Sequence, residues 1–396
     1  MSLVKEYNDK IVKGENLATE LLQQIAEYNK KRGTYLFVYA AAIGKPIPTL
    51  PIEQSDYYII RDLLASQKGL SNIDLYIETP GGSGETAEDI VEFLHNNFNT
   101  VSFVVSGEAK SAGTIMVLSG DEILMTETGS LGPIDAQMKI GRSIVSAYDY
   151  IEWINDKKEE AQKNGSLNPV DALMVAQITP GEYGSVFNAL KFAEDLVSEW
   201  LIKYKFKKWI STETRKISVT ENMKEKRAKE IANKLNNHSK WRSHGRSLKI
   251  NDLEEIGLKI TKVDADPILA DIVYRIQTIC RTIFNNSNVF KIFATQENKL
   301  FRQAAPMGPT PVMIPSSAMQ KPDVAQVETK CPKCGNVHKI YAKFVVDPQV
   351  DIKFKNGGFI PFPKDAKIAC NCGFEIDLLG IKNQLEIQTG RKILQQ

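Results

Sequence analysis

Leu75-Tyr-Ile-Glu-Thr-Pro-Gly-Gly-Ser-Gly84 runs from a short apolar stretch into a turn with two adjacent glycines. A helical pattern of Ala87, Ile90, Val91, Leu94 and Phe98 follows it. Adjacent glycines let backbone N–H groups face a ligand with no Cβ in the way, which is what an oxyanion hole needs. The next unit repeats the plan: Val101–Val105 reads as a strand, and Ala109-Lys-Ser-Ala-Gly-Thr114 places Ser111 at the start of a helix of small residues, Ser111 to Leu118. A hydroxyl there meets unsatisfied backbone donors and the positive end of the helix dipole, and the N–H of Ala112 is placed to stabilise a tetrahedral oxyanion. Glu122–Met125 is a third strand. Strand, helix, strand, helix, strand at this spacing predicts parallel crossover units and an α/β class. Taken singly, a Pro-Gly-Gly turn is often only a turn, and a serine opening a helix only a cap.

Outward from this centre, residues 15–30 carry apolar positions at helical spacing, 34–42 read as a buried strand, and 55–66 as a helix. From about residue 145 the pattern turns helical. Val186, Leu190, Ala193, Val197, Trp200 and Tyr204 mark the core stripe of a long helix. Between Lys203 and Glu230 ten Lys/Arg face four Glu, which reads as solvated faces of charged helices, so nucleic acid is not indicated. Asp252–Leu258 and Pro267–Ile283 are further helices. Gln303–Val327 is rich in Pro, Ala and Ser without helical periodicity and reads as a linker. The expected organisation is an N-terminal helix over 1–30, a catalytic domain over 31–285, a linker over 286–328 and a small module over 329–396.

The 396 residues include 50 Lys+Arg against 48 Asp+Glu, a net charge of +2, so no global field points to nucleic acid, a membrane surface or an acidic substrate. The N-terminus shows no secretory signal. The apolar stretch Tyr35–Ile43 is about half the roughly 20 residues that span a bilayer. The expectation is a cytoplasmic protein with no membrane span.

Four stretches together resemble the Clp-fold serine peptidases of the ClpP/crotonase superfamily, nearest to the signal-peptide-peptidase-like group known as the serine dehydrogenase proteinase family. They are LYIETPGGSGETAEDIVEFL (75–94), SGEAKSAGTIMVLSGDEILM (106–125), GSLGPIDAQ (129–137) and HSKWRSHGRSLKINDLEEIGLKI (238–260). The resemblance covers about residues 30–275. It implies a ClpP/crotonase-like fold of repeated β-β-α and βαβ units with a helical extension, a serine-type endopeptidase activity on peptides or proteins that needs no ATP in itself, and a homo-oligomer. By the family's motif Ser111 is the nucleophile, and the oxyanion donors are the backbone of Gly81 or Gly82 and of Ala112.

A serine hydroxyl needs a base, either a histidine oriented by an aspartate or a desolvated lysine. The relatives' catalytic histidine falls close to Asp135 and their aspartate next to His244, so the residue types are present but exchanged. One expectation is a rearranged triad of Ser111, His244 and Asp135. The other follows the relatives that pair serine with a lysine further along, for which Lys157, Lys158 and Lys110 are candidates. Of the other histidines, His95 reads as surface, and His238 flanks Trp241 with His244.

Four of the five cysteines cluster late: Cys331-Pro-Lys-Cys334-Gly and Cys370-Asn-Cys372-Gly. Two tight pairs can supply four thiolates in a tetrahedron, which predicts a small β-rich zinc ribbon with a closed, structural Zn²⁺. The second pair is Cys-x-Cys where Cys-x₂-Cys is usual, and His338 could replace a ligand. Cys280, the fifth, reads as a core residue. The alternative to a peptidase is a catalytically silent scaffold of the same fold binding a protein or nucleic-acid partner. Crotonase-type acyl chemistry is a third reading, less suited to the Ser-Ala-Gly-Thr helix start.

Overall fold

The structure, a computed structural model, describes residues 2–67, 71–140, 142–212, 214–304 and 323–394. The chain divides into two compact units, 1–307 and 308–396. The first begins with α1 (Leu3–Val12), α2 (Leu17–Arg32), β1 (Tyr35–Ala41), α3 (Gln54–Leu64), β2 (Asn72–Glu78), α4 (Gly84–Asn97), β3 (Thr100–Val105), β4 (Glu108–Ala109), α5 (Ala112–Leu118), β5 (Glu122–Met125) and β6 (Ser130–Leu131). It continues with the hairpin β7 (Gln137–Ile140) and β8 (Ser143–Ser146), then α6 (Ala147–Asn164), α7 (Pro169–Val175), α8 (Pro180–Trp200), α9 (Glu221–Asn236), α10 (His238–Trp241) and α11 (Ile250–Ile256). It ends with β9 (Thr261–Lys262), α12 (Pro267–Asn286), β10 (Val289–Ala294) and β11 (Lys299–Gln303).

β1 is buried at every position, as expected of a strand whose two faces are both covered. It sits inside a seven-stranded sheet of order β11-β10-β1-β2-β3-β5-β9. From β1 to β9 the pairings are parallel; β10 and β11 add an antiparallel edge. One face packs Phe37, Leu75, Ile77 and Phe103 against α3, α4, α5, α8 and α9. The other packs Leu36, Val38, Tyr76 and Val104 against α2 and α12.

Two boundaries differ from the sequence reading. The N-terminal segment is two helices, and both pack on α12 as part of the second layer. The expected linker over 286–328 contains β10 and β11, which complete the sheet; its residues 305–322 lie outside the described residues. The physical reason is local: β10 is buried at all six positions, but Lys291 interrupts its apolar run.

That lysine explains how the edge is held. Lys291 and Asp56 are both fully buried, with Nζ 2.6 Å from Asp56 Oδ2 and 2.8 Å from the Pro51 carbonyl. Tyr39 Oη donates to the same Asp56 oxygen at 3.0 Å, and Arg302 lies 3.4 Å from the other. Removing one partner of a buried ion pair leaves an uncompensated charge, so Lys291→Met is expected to destabilise this unit by about 3–5 kcal/mol, read from its denaturant midpoint. An unchanged midpoint would show that the pair adds nothing over an apolar contact. The network also fixes the neighbour of the glycine turn: Ile52 N donates to Gly81 O at 2.7 Å, and Ser83 N donates to Ile52 O at 3.0 Å.

The second unit is small and β-rich. β12 (Val324–Lys330) pairs antiparallel with β13 (Val337–Lys343), which pairs with β14 (Ile360–Pro361) beyond α13 (Pro348–Asn356). The hairpin β15 (Lys367–Ala369) and β16 (Glu375–Asp377) and the helix α14 (Leu379–Thr389) follow.

Candidate active site and cysteine cluster

Three segments meet at Ser111. Beyond the end of β2, Thr79 pairs with Ala109: Thr79 N donates to Glu108 O at 2.8 Å and Lys110 N donates to Thr79 O at 3.0 Å. This sets the Pro-Gly-Gly turn directly beside the start of α5. A Cβ on Gly81 would fall 2.7 Å from Ser111 Cβ and 2.8 Å from Lys110 O, and Gly81 has φ +101°, so only glycine fits there. Ser111 itself has φ +49° and ψ −119°. For a residue with a Cβ that is a strained conformation costing on the order of 1–3 kcal/mol. Its side chain makes no capping hydrogen bond on α5, so the hydroxyl is not spent on closing the helix.

The third segment is β6 and the loop after it. β4 pairs with β6, and Gly132 N donates to Thr114 Oγ1 at 2.9 Å. Leu131 and Leu248 exchange two backbone hydrogen bonds, at 3.0 and 2.9 Å. Four residues on from Leu131 is Asp135, and four residues back from Leu248 is His244. The antiparallel approach therefore brings them together: His244 Nδ1 is 2.9 Å from Asp135 Oδ1. Asp135 is fully buried, and Gln137 Nε2 donates to its other oxygen at 2.8 Å. With Nδ1–H donating to the carboxylate, Nε2 of His244 is the free acceptor. Among the described residues Ser111 Oγ makes no hydrogen bond to His244 or to a lysine.

The lysine candidates stand elsewhere. Lys157 pairs with Glu160 at 2.8 Å and Asp171 at 2.7 Å. Both carboxylates raise its pKa, Asp171 most, the reverse of what a neutral lysine base requires. Lys158 lies over the Tyr183 ring at 4.9 Å. Neither contacts Ser111 among the described residues; both are engaged by these partners on the α6 side. Lys110 is buried, and burial lowers its pKa, but Nζ donates to Leu131 O at 3.1 Å, Arg246 O at 3.2 Å and Ser247 Oγ at 2.9 Å. All three N–H donors are used, so no lone pair is presented to the serine.

His95 differs from its surface reading. Its ring stacks on Tyr204 at 3.5 Å and Nε2 contacts Ser119 O at 3.1 Å, and burial pushes its pKa down to about 4. Cys280 is buried in the α12 core, as read.

Residues 39–163 match the family model of the ClpP-like SDH-type serine proteinases. Within the first unit this ClpP-like SDH-type match runs from β1 into α6. The chain is 27% identical over 250 residues to the uncharacterized protein MJ1495 of Methanocaldococcus jannaschii, covering 60% of this chain and 70% of that one. It is 37% identical over 89 residues to the uncharacterized protein MJ0137 of the same organism, covering 22% of this chain and 30% of that one. A solved structure, the 1510-N membrane-bound stomatin-specific protease, aligns at 22% identity with a TM-score of 0.23, over 36% of this chain and 80% of that one. Among the described residues no helix of the SDH-type domain or of the second unit is long and apolar enough to cross a membrane.

In the second unit the turn between β12 and β13 carries Cys331 and Cys334, and the turn between β15 and β16 carries Cys370 and Cys372. Each turn closes on a glycine with positive φ, Gly335 at +73° and Gly373 at +80°. The four Sγ atoms lie within 4.8 Å of one another, with Cys331–Cys372 at 3.5 Å and Cys334–Cys370 at 3.6 Å. Those distances exclude disulfides, whose sulfurs lie about 2.05 Å apart. They suit a tetrahedron of metal–sulfur bonds of about 2.3 Å, whose edge is about 3.8 Å. The tight Cys-x-Cys turn therefore still delivers both thiols, and His338, on β13 opposite Thr329, is not in the cluster.

Proposed function

We propose that the SDH-type domain is a serine endopeptidase, with Ser111 as nucleophile and His244, oriented by Asp135, as general base. One observation carries this: a serine held at φ +49° where strand meets helix, against a glycine turn, in a domain where a partly exposed histidine is held by a buried aspartate. Strained residues of this kind concentrate at reacting centres. As Ser111 Oγ adds to the scissile carbonyl, its proton passes to His244 Nε2 and then to the leaving amine; water hydrolyses the acyl-enzyme by the same route. Gly81 N already donates to Thr79 Oγ1 at 3.2 Å. The Gly81 carbonyl and Ser83 N–H face Ile52, so the Gly82 N–H faces the opposite side, and with the Ala112 N–H at the helix start it forms the oxyanion donor pair.

The cysteine cluster suits structural Zn²⁺, since four thiolates fill the coordination shell. Thiols kept for a metal belong to a reducing compartment, here the cytoplasm. Peptides or proteins are the substrate class, and the resemblance adds a homo-oligomer. A fluorophosphonate probe is expected to label the full-length protein at Ser111, as mapped by peptide mass spectrometry. No label at Ser111 would overturn the peptidase reading and leave a silent scaffold.

A further inference from the structure

The residue before the nucleophile makes contacts that the triad chemistry does not use. Lys110 is 6% exposed, and its backbone is tied to the glycine turn through Thr79 and to α5 through the bond from Gly113 N to Lys110 O at 2.8 Å. Its stem then crosses Gly132, where a Cβ would stand 3.0 Å from Lys110 Cδ and 3.5 Å from Ser111 N. A side chain at 132 would press on the Lys110 stem while only touching Ser111 N. The ammonium ends on the seam between two chain segments: Leu131 O belongs to the one that leads to Asp135, Arg246 O and Ser247 Oγ to the one that follows His244. The reciprocal Leu131–Leu248 pair lies on the same seam. A point charge with three donors meets three acceptors, so all three hydrogen bonds at the seam are charge-assisted.

We propose that Lys110 is a positioning residue whose ammonium pins the segments carrying Asp135 and His244 to the residue next to Ser111. The part of this that concerns catalysis rests on the peptidase reading; the pin itself does not. Without the ammonium, two carbonyls and a hydroxyl at the seam lose a charged donor, and hydrogen bonds to charged groups are the strong ones. The Asp135–His244 pair would then keep its own contact but wander relative to Ser111, and misplacement by about 1 Å can cost on the order of 10²-fold in rate. Glu108 on β4 and Lys249 beyond Ser247 are the charged groups that act on this ammonium. Lys249 is itself held by the carbonyls of Thr128 and Gly129 at 2.8 and 3.0 Å, so it does not substitute for Lys110.

The test uses full-length Lys110→Met, with Lys110→Gln as a second variant that keeps polar donors but no charge. Amide hydrogen exchange reads the pin whatever the enzyme does: at Leu131 and Leu248 it is expected to accelerate about 10- to 100-fold in Lys110→Met, while β1 to β3 stay within about twofold. Fluorophosphonate labelling of Ser111 and kcat are expected to fall by a similar factor with KM nearly unchanged, and n-propylamine added to Lys110→Ala to restore part of the rate where propanol does not. Unchanged exchange at Leu131 and Leu248 overturns the pin. Accelerated exchange with labelling as fast as wild type overturns the positioning role. If the wild type is not labelled at all, the peptidase reading has failed, and exchange alone decides the pin.

Discussion

Ser111→Ala is expected to lower kcat for peptide hydrolysis by about 10⁴- to 10⁶-fold, and His244→Ala by nearly as much. The double variant should be no slower than either single one. The serine and its base act as a unit: without the base the hydroxyl is a poor nucleophile, and without the hydroxyl the base has no proton to take. What is expected to survive in all three is the contribution of binding and of the proposed Gly82 and Ala112 donors, about 10³- to 10⁴-fold over water. Asp135→Asn tests the pair differently. An amide at 135 can donate to Nδ1 and so put the proton on the wrong nitrogen, with a loss of about 10⁴. Lys157→Ala and Lys158→Ala should hydrolyse at the wild-type rate, because Lys157 is held by Asp171 and Glu160 and Lys158 by the Tyr183 ring. Steady-state hydrolysis of a fluorogenic peptide set decides: full activity in His244→Ala would remove the rearranged triad, and a large loss in Lys157→Ala or Lys158→Ala would bring back the lysine base.

How much of this was legible in the sequence follows the range of the interactions. The parallel strands were readable because covering both faces of the sheet forces near-continuous apolar runs such as Tyr35–Ala41 and Val101–Val105, the second interrupted only by the buried Ser102. The glycine turn and the serine at the helix start were readable because their chemistry needs particular residue types at adjacent positions. The meeting of Asp135 and His244 came only from the resemblance; nothing local to either residue shows that Leu131 and Leu248 will pair and carry them together. β10 and β11 were missed for the same reason, compounded by Lys291, whose partner Asp56 lies far away along the chain. His95 was misread because Tyr204, which covers it, sits on the turn after α8. The positive φ of Ser111 has no signal in the residue itself; the neighbouring need for Gly81 was the trace it left.

On the zinc reading of the cysteine cluster, stripping the metal is expected to unfold the second unit while the SDH-type domain stays folded. Cys331 and Cys370 are members of the second unit's apolar cluster, together with Ile340, Phe344, Ile368 and Leu378, so the proposed ligands and the core are one structure. Beyond the seven-residue pair β12 and β13 its strands are short, β14 with two residues and β15 and β16 with three each, and small hairpins are marginal in water without a further staple. A structural Zn²⁺ on four thiolates supplies about 10–16 kcal/mol of apparent binding free energy, much more than such a core leaves in reserve. All four tryptophans, Trp153, Trp200, Trp209 and Trp241, lie in the first unit. Chelation, or Cys370→Ser, should therefore leave tryptophan emission unchanged while Tyr341, Phe344 and Phe362 lose their dispersed NMR signals and protease cuts appear beyond residue 323. Elemental analysis should find about one zinc per chain before treatment and none after. Metal-free protein that keeps those signals would show that the cluster is not what holds the unit together.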